Sequence, residues 1–117
     1  MILIVEDDPQ VARLISLILQ RAGYTGEVVP DADKALARVA QGRPELIFAD
    51  LSLTGTGGDV LCSRIKGDDG TKDIPFVILS GDRDIAEKAN VCGADAYLGK
   101  PFEFDELIRI VKQYADN

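Results

Sequence analysis

The sequence predicts a doubly wound α/β sandwich: one five-stranded parallel sheet, strand order 2-1-3-4-5, with helices on both faces. Three observations carry this. Short apolar runs alternate five times with segments of helical period. The greasiest runs, ILIV, LIFA and FVIL, are apolar throughout rather than at every second residue, so those strands are buried on both faces, as in parallel sheets. Finally, 117 residues with 46% hydrophobic and 28% charged side chains form one core without needing a disulfide or a structural metal.

Each element follows in order. Ile2–Val5 is too short for a helix before the polar VEDDP turn and reads as a strand. The next segment puts Val11, Leu14, Ile15, Ile18 and Ala22 on one helical face, with Asp8 as N-cap, Pro9 as first helical residue and Gly23 as the stop. Glu27–Val29 is a weaker strand. Asp31 caps a helix whose Ala32, Leu36 and Val39 share a face and which ends at Gly42. Leu46–Ala49 is the third strand, followed by the loop LSLTGTGG and a helix from Asp59 to Lys66. Phe76–Leu79 is the fourth strand, and Ile85, Ala89 and Cys92 face inward from the helix after it. Ala96–Leu98 is a short fifth strand. A last helix from Glu103 aligns Phe104, Leu107, Ile108 and Val111. The first, third and fourth strands belong at the centre, which reverses the winding between the first and third. Ligands of such sheets bind outside the carboxyl ends of the strands at that switch point.

Composition excludes several functions. Thirteen basic residues against twenty acidic ones leave a net charge of −7, which opposes affinity for nucleic acid or anionic membrane. The chain has no histidine, so it can form neither a Ser-His-Asp triad nor a His-ligated zinc site nor a phosphohistidine. Cys62 and Cys92 make no CxxC pair and read as reduced, buried thiols. No apolar run is long enough to span a bilayer and no signal peptide is present, so the expected compartment is the cytoplasm.

The functional signal is positional. The first strand ends in Glu6-Asp7, the third in Asp50, the fourth in Ser80, and the fifth runs into Lys100-Pro101. Singly, each has an ordinary explanation as a turn or cap residue. Parallel strands nevertheless collect all of them on one edge. Three carboxylates there repel one another and call for a cation, and an all-oxygen set suits Mg²⁺ better than zinc. With a hydroxyl at Ser80 and a mobile charge at Lys100, the set describes a trap for one phosphoryl group.

In these segments, ILIVEDDP, LIFADLSL, FVILSG and GADAYLGKPF, the sequence resembles the receiver domain of two-component response regulators over essentially its whole length. The resemblance implies a flavodoxin-like (βα)5 fold and one receiver domain over 1–117. It implies Asp50 as phosphoacceptor, taking the group from a histidine kinase or histidine phosphotransfer protein, which fits the missing histidine. Glu6, Asp7, Asp50 and the backbone carbonyl of Ser52 would hold Mg²⁺, with Mn²⁺ as an alternative ion. Ser80 and Lys100 would bind the phosphoryl oxygens, Tyr97 would be the aromatic switch, and Lys100-Pro101 is a candidate cis bond. Such a receiver is a signalling module with self-phosphorylation and slow self-dephosphorylation, not a turnover enzyme. The loop after Asp50 commonly carries proline where this chain has Thr54, and with Gly55, Gly57 and Gly58 it should be unusually mobile. By the same resemblance, Ser52 and Asp82 occupy positions that in this family tune dephosphorylation.

Two surfaces are candidates for partners. Leu17 should point outward beside Arg13 on the first helix, where a helical phosphodonor could dock. Ile110 and Tyr114 lie off the core stripe of the last helix and could join Tyr97 in an output face, for a downstream protein or for a dimer through that helix. A stand-alone receiver and one cut from a longer regulator would leave the same sequence. The alternatives are a phosphate-independent binding module with this fold and an aspartyl-phosphate hydrolase of the haloacid dehalogenase class. The hydrolase needs a second Asp where Ser52 stands. An FMN binder of the same sheet order would want a phosphate loop where VEDDP would repel the ligand.

Overall fold

Strands and helices alternate strictly through the computed structural model, which describes residues 1–115. In chain order they are β1 (Ile2–Val5), α1 (Pro9–Arg21), β2 (Gly26–Val29), α2 (Ala32–Gln41), β3 (Leu46–Asp50), α3 (Gly58–Lys66), β4 (Phe76–Ser80), α4 (Ile85–Cys92), β5 (Ala96–Gly99) and α5 (Phe104–Tyr114). The five strands form one parallel sheet in the predicted order β2-β1-β3-β4-β5.

Alternation along each strand divides the core in two. Leu3 and Val5 of β1, Ile47 and Ala49 of β3, and Phe76 and Ile78 of β4 face α2, α3 and α4. Ile2, Ile4, Leu46, Phe48, Val77 and Leu79 face the other way, against Ile15 and Leu19 of α1 and Leu107 and Val111 of α5. Every residue of β1, β3 and β4 is buried, which is why these segments carry no alternation of polarity. Burying a side chain such as Ile4 or Phe48 stabilises the fold by about 1.5–3 kcal/mol before the entropy of ordering it is counted.

Helix ends follow the local chemistry. Asp8 accepts a 2.9 Å hydrogen bond from the Gln10 amide, Pro9 opens α1, and Gly23 at φ +90° ends it in the left-handed region that favours glycine. Asp31 accepts from the Lys34 amide at 2.8 Å. At α5, Glu103 and Glu106 form a reciprocal capping box.

The structure corrects four side-chain assignments. Leu14 is half exposed, because the inner face of α1 is centred on Ile15 and rotated toward Ala12 and Leu19. Phe104 is also exposed, in the first turn of α5. Conversely, Ile110 and Tyr114, expected off the core stripe, are both half-buried against the α1/α5 core, and the Tyr114 hydroxyl donates to the Asp95 carbonyl at 3.0 Å.

Candidate functional site

The ladder that builds the sheet also delivers the polar side chains to its carboxyl edge. Continuing it past the strand ends, the Glu6 amide donates to the Val29 carbonyl, the Leu51 amide to Leu79, and the Lys100 amide to Ser80 at 2.8 Å. Glu6, Asp50, Ser80 and Lys100 thus arrive from four neighbouring strands at one level, with Asp7 one residue beyond β1. Glu6, Asp50 and Ser80 are buried, whereas Asp7 is exposed at the mouth.

One carboxylate oxygen from each of Glu6, Asp7 and Asp50 lies within 4.8 Å of the other two. The Lys100 Nζ sits 3.2 Å from Glu6 Oε2 and 3.2 Å from Asp50 Oδ2. One ammonium against three carboxylates leaves the cluster two charges negative. Burial pushes the Glu6 carboxyl above its usual range, with the Asp50 charge adding to the effect; the Asp8 amide and Lys100 counter part of it. Burial alone would pull Lys100 down, but Asp50 and Glu6 outweigh it and raise its pKa. Asp7 is lowered, chiefly by two hydrogen bonds from Thr54. The donor set is all oxygen, partly buried and over-charged, so it fits a hard divalent cation and offers no nitrogen or sulfur for zinc.

Local backbone constraints hold the Asp50 side chain. The Ser52 amide donates to Asp50 Oδ1 at 3.1 Å. Gly58 begins α3 against the Asp50 backbone: a Cβ there would stand 2.2 Å from the Asp50 carbonyl oxygen, so no other residue fits without displacing the strand end. The Ser80 hydroxyl accepts from the Asp82 amide at 2.9 Å, and the Asp82 carboxylate stands 3.7 Å from Lys88 of α4. The Lys100–Pro101 bond is cis.

Around this cluster the structure distributes the remaining candidates. Tyr97, opposite Ile78 on β5, is 48% exposed and lines a shallow concavity with Ala86, Ala89 and Asn90 of α4. Leu17 is exposed as predicted, and it is not isolated. Together with Leu14, Ile18, Phe102 and Phe104 it lines an apolar groove between α1 and the start of α5, whose cation is Arg21 rather than Arg13. The spacing of α1 hid this groove by assigning Leu14 inward. A second feature escaped the sequence. Rather than swinging free, the loop after Asp50 is pinned to β1's end, because the Thr54 amide and hydroxyl both donate to Asp7 Oδ2, at 3.0 and 2.7 Å. The only sequence signal was a threonine where proline is common. Among the described residues, no helix is long and apolar enough to cross a membrane.

Comparison with known proteins agrees with this geometry. The family model of the response regulator receiver domain matches residues 2–112. The chain is 38% identical over 113 residues to the DNA-binding dual master transcriptional regulator RpaA of Synechocystis sp., covering 95% of this chain and 47% of that protein. It is 36% identical over 113 residues to the phosphate regulon transcriptional regulatory protein PhoB of Pseudomonas aeruginosa, covering 95% and 49%. The chain thus spans about half the length of these relatives. Among solved structures, the signal receiver domain of a signal transduction histidine kinase from Syntrophus aciditrophicus superposes with a TM-score of 0.91 at 33% identity, covering 97% of this chain and 88% of that one. The receiver domain of a sensor histidine kinase from Pseudomonas aeruginosa, which has a magnesium ion coordinated in its active site cleft, gives 0.90 at 27% identity, covering 99% and 97%.

Proposed function

The chain belongs to the response regulator receiver domain family, and from that premise we propose that it accepts one phosphoryl group on Asp50 from a phosphohistidine of a partner protein and signals through the change that follows. Receiver domains are signalling modules rather than turnover enzymes. The observation that carries the proposal is the Lys100 ammonium shared between Asp50 and Glu6 at 3.2 Å each, inside a three-carboxylate cluster.

In the transfer step an Asp50 carboxylate oxygen attacks phosphorus. The new O–P bond forms as the donor's N–P bond breaks, and the imidazole nitrogen keeps that bonding pair and takes up a proton. Glu6, Asp7, Asp50 and the Ser52 carbonyl would hold Mg²⁺ (or Mn²⁺), whose charge offsets that of the phosphoryl oxygens. Lys100 exchanges the Asp50 oxygen for a phosphoryl oxygen, keeping Glu6 as its second partner. The Ser80 hydroxyl, which now accepts from Asp82, turns to donate to the phosphoryl group. Phosphorylation replaces one negative charge with about two, so these contacts exist only in that state and can shift a two-state equilibrium. Tyr97, half exposed on β5, is the side chain that follows Ser80 inward and changes the α4–β5 surface presented to a downstream protein.

The partner kinase or phosphotransfer protein docks on the groove of Leu14, Leu17, Phe102 and Phe104, next to Lys100 through the Pro101 turn. The whole chain, 1–117, acts as one receiver, in the cytoplasm. Borohydride reduction after treatment with acetyl phosphate and Mg²⁺ tests the acceptor. It should convert Asp50, and no other carboxylate, to homoserine in a peptide map; reduction elsewhere would reject the assignment.

A further inference from the structure

We propose that Thr54 is a positioning residue for the metal site, acting through Asp7; the inference rests on the proposed Mg²⁺ role of Asp7. Asp7 is the exposed member of the cluster, whereas Glu6 and Asp50 are buried and held by Lys100. An exposed carboxylate on its own samples several rotamers and stays hydrated, so a cation would have to fix it on binding. Thr54, 47 residues away in sequence, removes that freedom. Its amide and its hydroxyl converge on the same oxygen, Oδ2, at 3.0 and 2.7 Å.

Two donors fill the acceptor capacity of Oδ2 and leave Oδ1 as the oxygen for a cation. Anchoring one oxygen of a carboxylate to aim the other is how groups outside the ligand set commonly orient metal ligands. The same bonds tie the end of β1 to the loop after Asp50, so Asp7 and the acceptor loop keep one relative position despite Gly55 and Gly57. A proline at position 54 could supply neither donor, because it has no N–H and no hydroxyl. The device therefore belongs to the residue this chain carries there.

The test is a Mg²⁺ titration of metal-free protein followed by backbone amide shifts, alongside the melting temperature of each metal-free variant. Thr54→Val keeps the shape and the amide but deletes the hydroxyl; it should weaken Mg²⁺ binding about tenfold while lowering the metal-free melting temperature only by the small amount that one exposed hydrogen bond supplies. Thr54→Ser restores the hydroxyl and should restore the affinity, a rescue that a purely structural role would not give. Equal or tighter binding by Thr54→Val would overturn the proposal, because Thr54 would then be a bystander or a competitor for Asp7. No saturable Mg²⁺ binding by the wild-type chain is a different failure: it rejects the metal role of Asp7 itself, and the positioning role with it.

Discussion

Lys100, just past β5, and Asp50, at the end of β3 with β4 between them, are fifty residues apart in sequence yet meet at 3.2 Å, and the same ammonium touches Glu6 at 3.2 Å. The cation that would receive a phosphoryl group is thus already in place, stabilising buried carboxylates. Lys100→Met removes it without shortening the side chain much, and unfolding in urea should show a loss of about 1.5–3 kcal/mol at neutral pH, the range for hydrogen bonds to charged groups. Because the folded pKa of Lys100 is raised above 10.5, its contribution is fully present below that value and is lost as pH rises through the raised one. The gap between wild type and variant should hold from pH 7 to 10 and shrink above.

Glu6 predicts the opposite sign. Its folded pKa lies above 4.5, mainly through burial, so the ionised form destabilises the metal-free fold at neutral pH, and this penalty is relieved as pH falls through the raised value. Glu6→Gln should melt higher than wild type at pH 7.5 without Mg²⁺, and the difference should close under acid. The variant should also lose any stabilisation by added Mg²⁺. A lower melting temperature at pH 7.5 would contradict the reading of the cluster as over-charged.

Gly58→Ala tests how closely α3 abuts Asp50. With the new methyl 2.2 Å from the Asp50 carbonyl oxygen, backbone must move, at a cost of about 3 kcal/mol in urea unfolding. Gly55, at φ +83° with open space around it, should resent alanine for a different reason, its left-handed backbone.

The proposed docking role of the α1 groove can be tested apart from the chemistry. Leu14→Ala and Leu17→Ala should each slow phosphoryl transfer from a protein donor about tenfold, equivalent to ~1.4 kcal/mol. Labelling by acetyl phosphate, which needs no docking, should be unchanged. Equal loss in both assays would place these residues in the fold rather than in the interface.

The elements were legible because each carries a local signal. ILIV, LIFA and FVIL are buried on both faces, Asp8-Pro9 and Asp31 mark helix starts, and Gly23 and Gly42 mark stops. The sites of Glu6, Asp50, Ser80 and Lys100 could be read for a related reason: in a parallel sheet, residues just past the strands share one edge whatever their separation in sequence. Helix rotation was harder. The predicted face of Val11, Leu14, Ile15, Ile18 and Ala22 and the observed one of Ala12, Ile15, Ile18 and Leu19 share Ile15 and Ile18, and only packing against β1 and β3 decides that Leu19 rather than Leu14 completes it. Phe104 fits its helical stripe but sits in the first turn, where the core no longer covers it. Tyr114 lies at the edge of its stripe and is drawn in by the Asp95 carbonyl. The Thr54–Asp7 contact joins two loops, and loop-to-loop hydrogen bonds leave no periodicity to read.

The most direct measurement is intact mass after treatment with acetyl phosphate or phosphoramidate, with Mg²⁺ and with EDTA, for the wild-type chain and for Asp50→Ala. The account predicts a gain of one phosphoryl group in the wild type that depends on Mg²⁺ and is absent from Asp50→Ala. An unlabelled wild type, under conditions that label another receiver domain, would contradict it and leave a receiver fold that binds without phosphorylation.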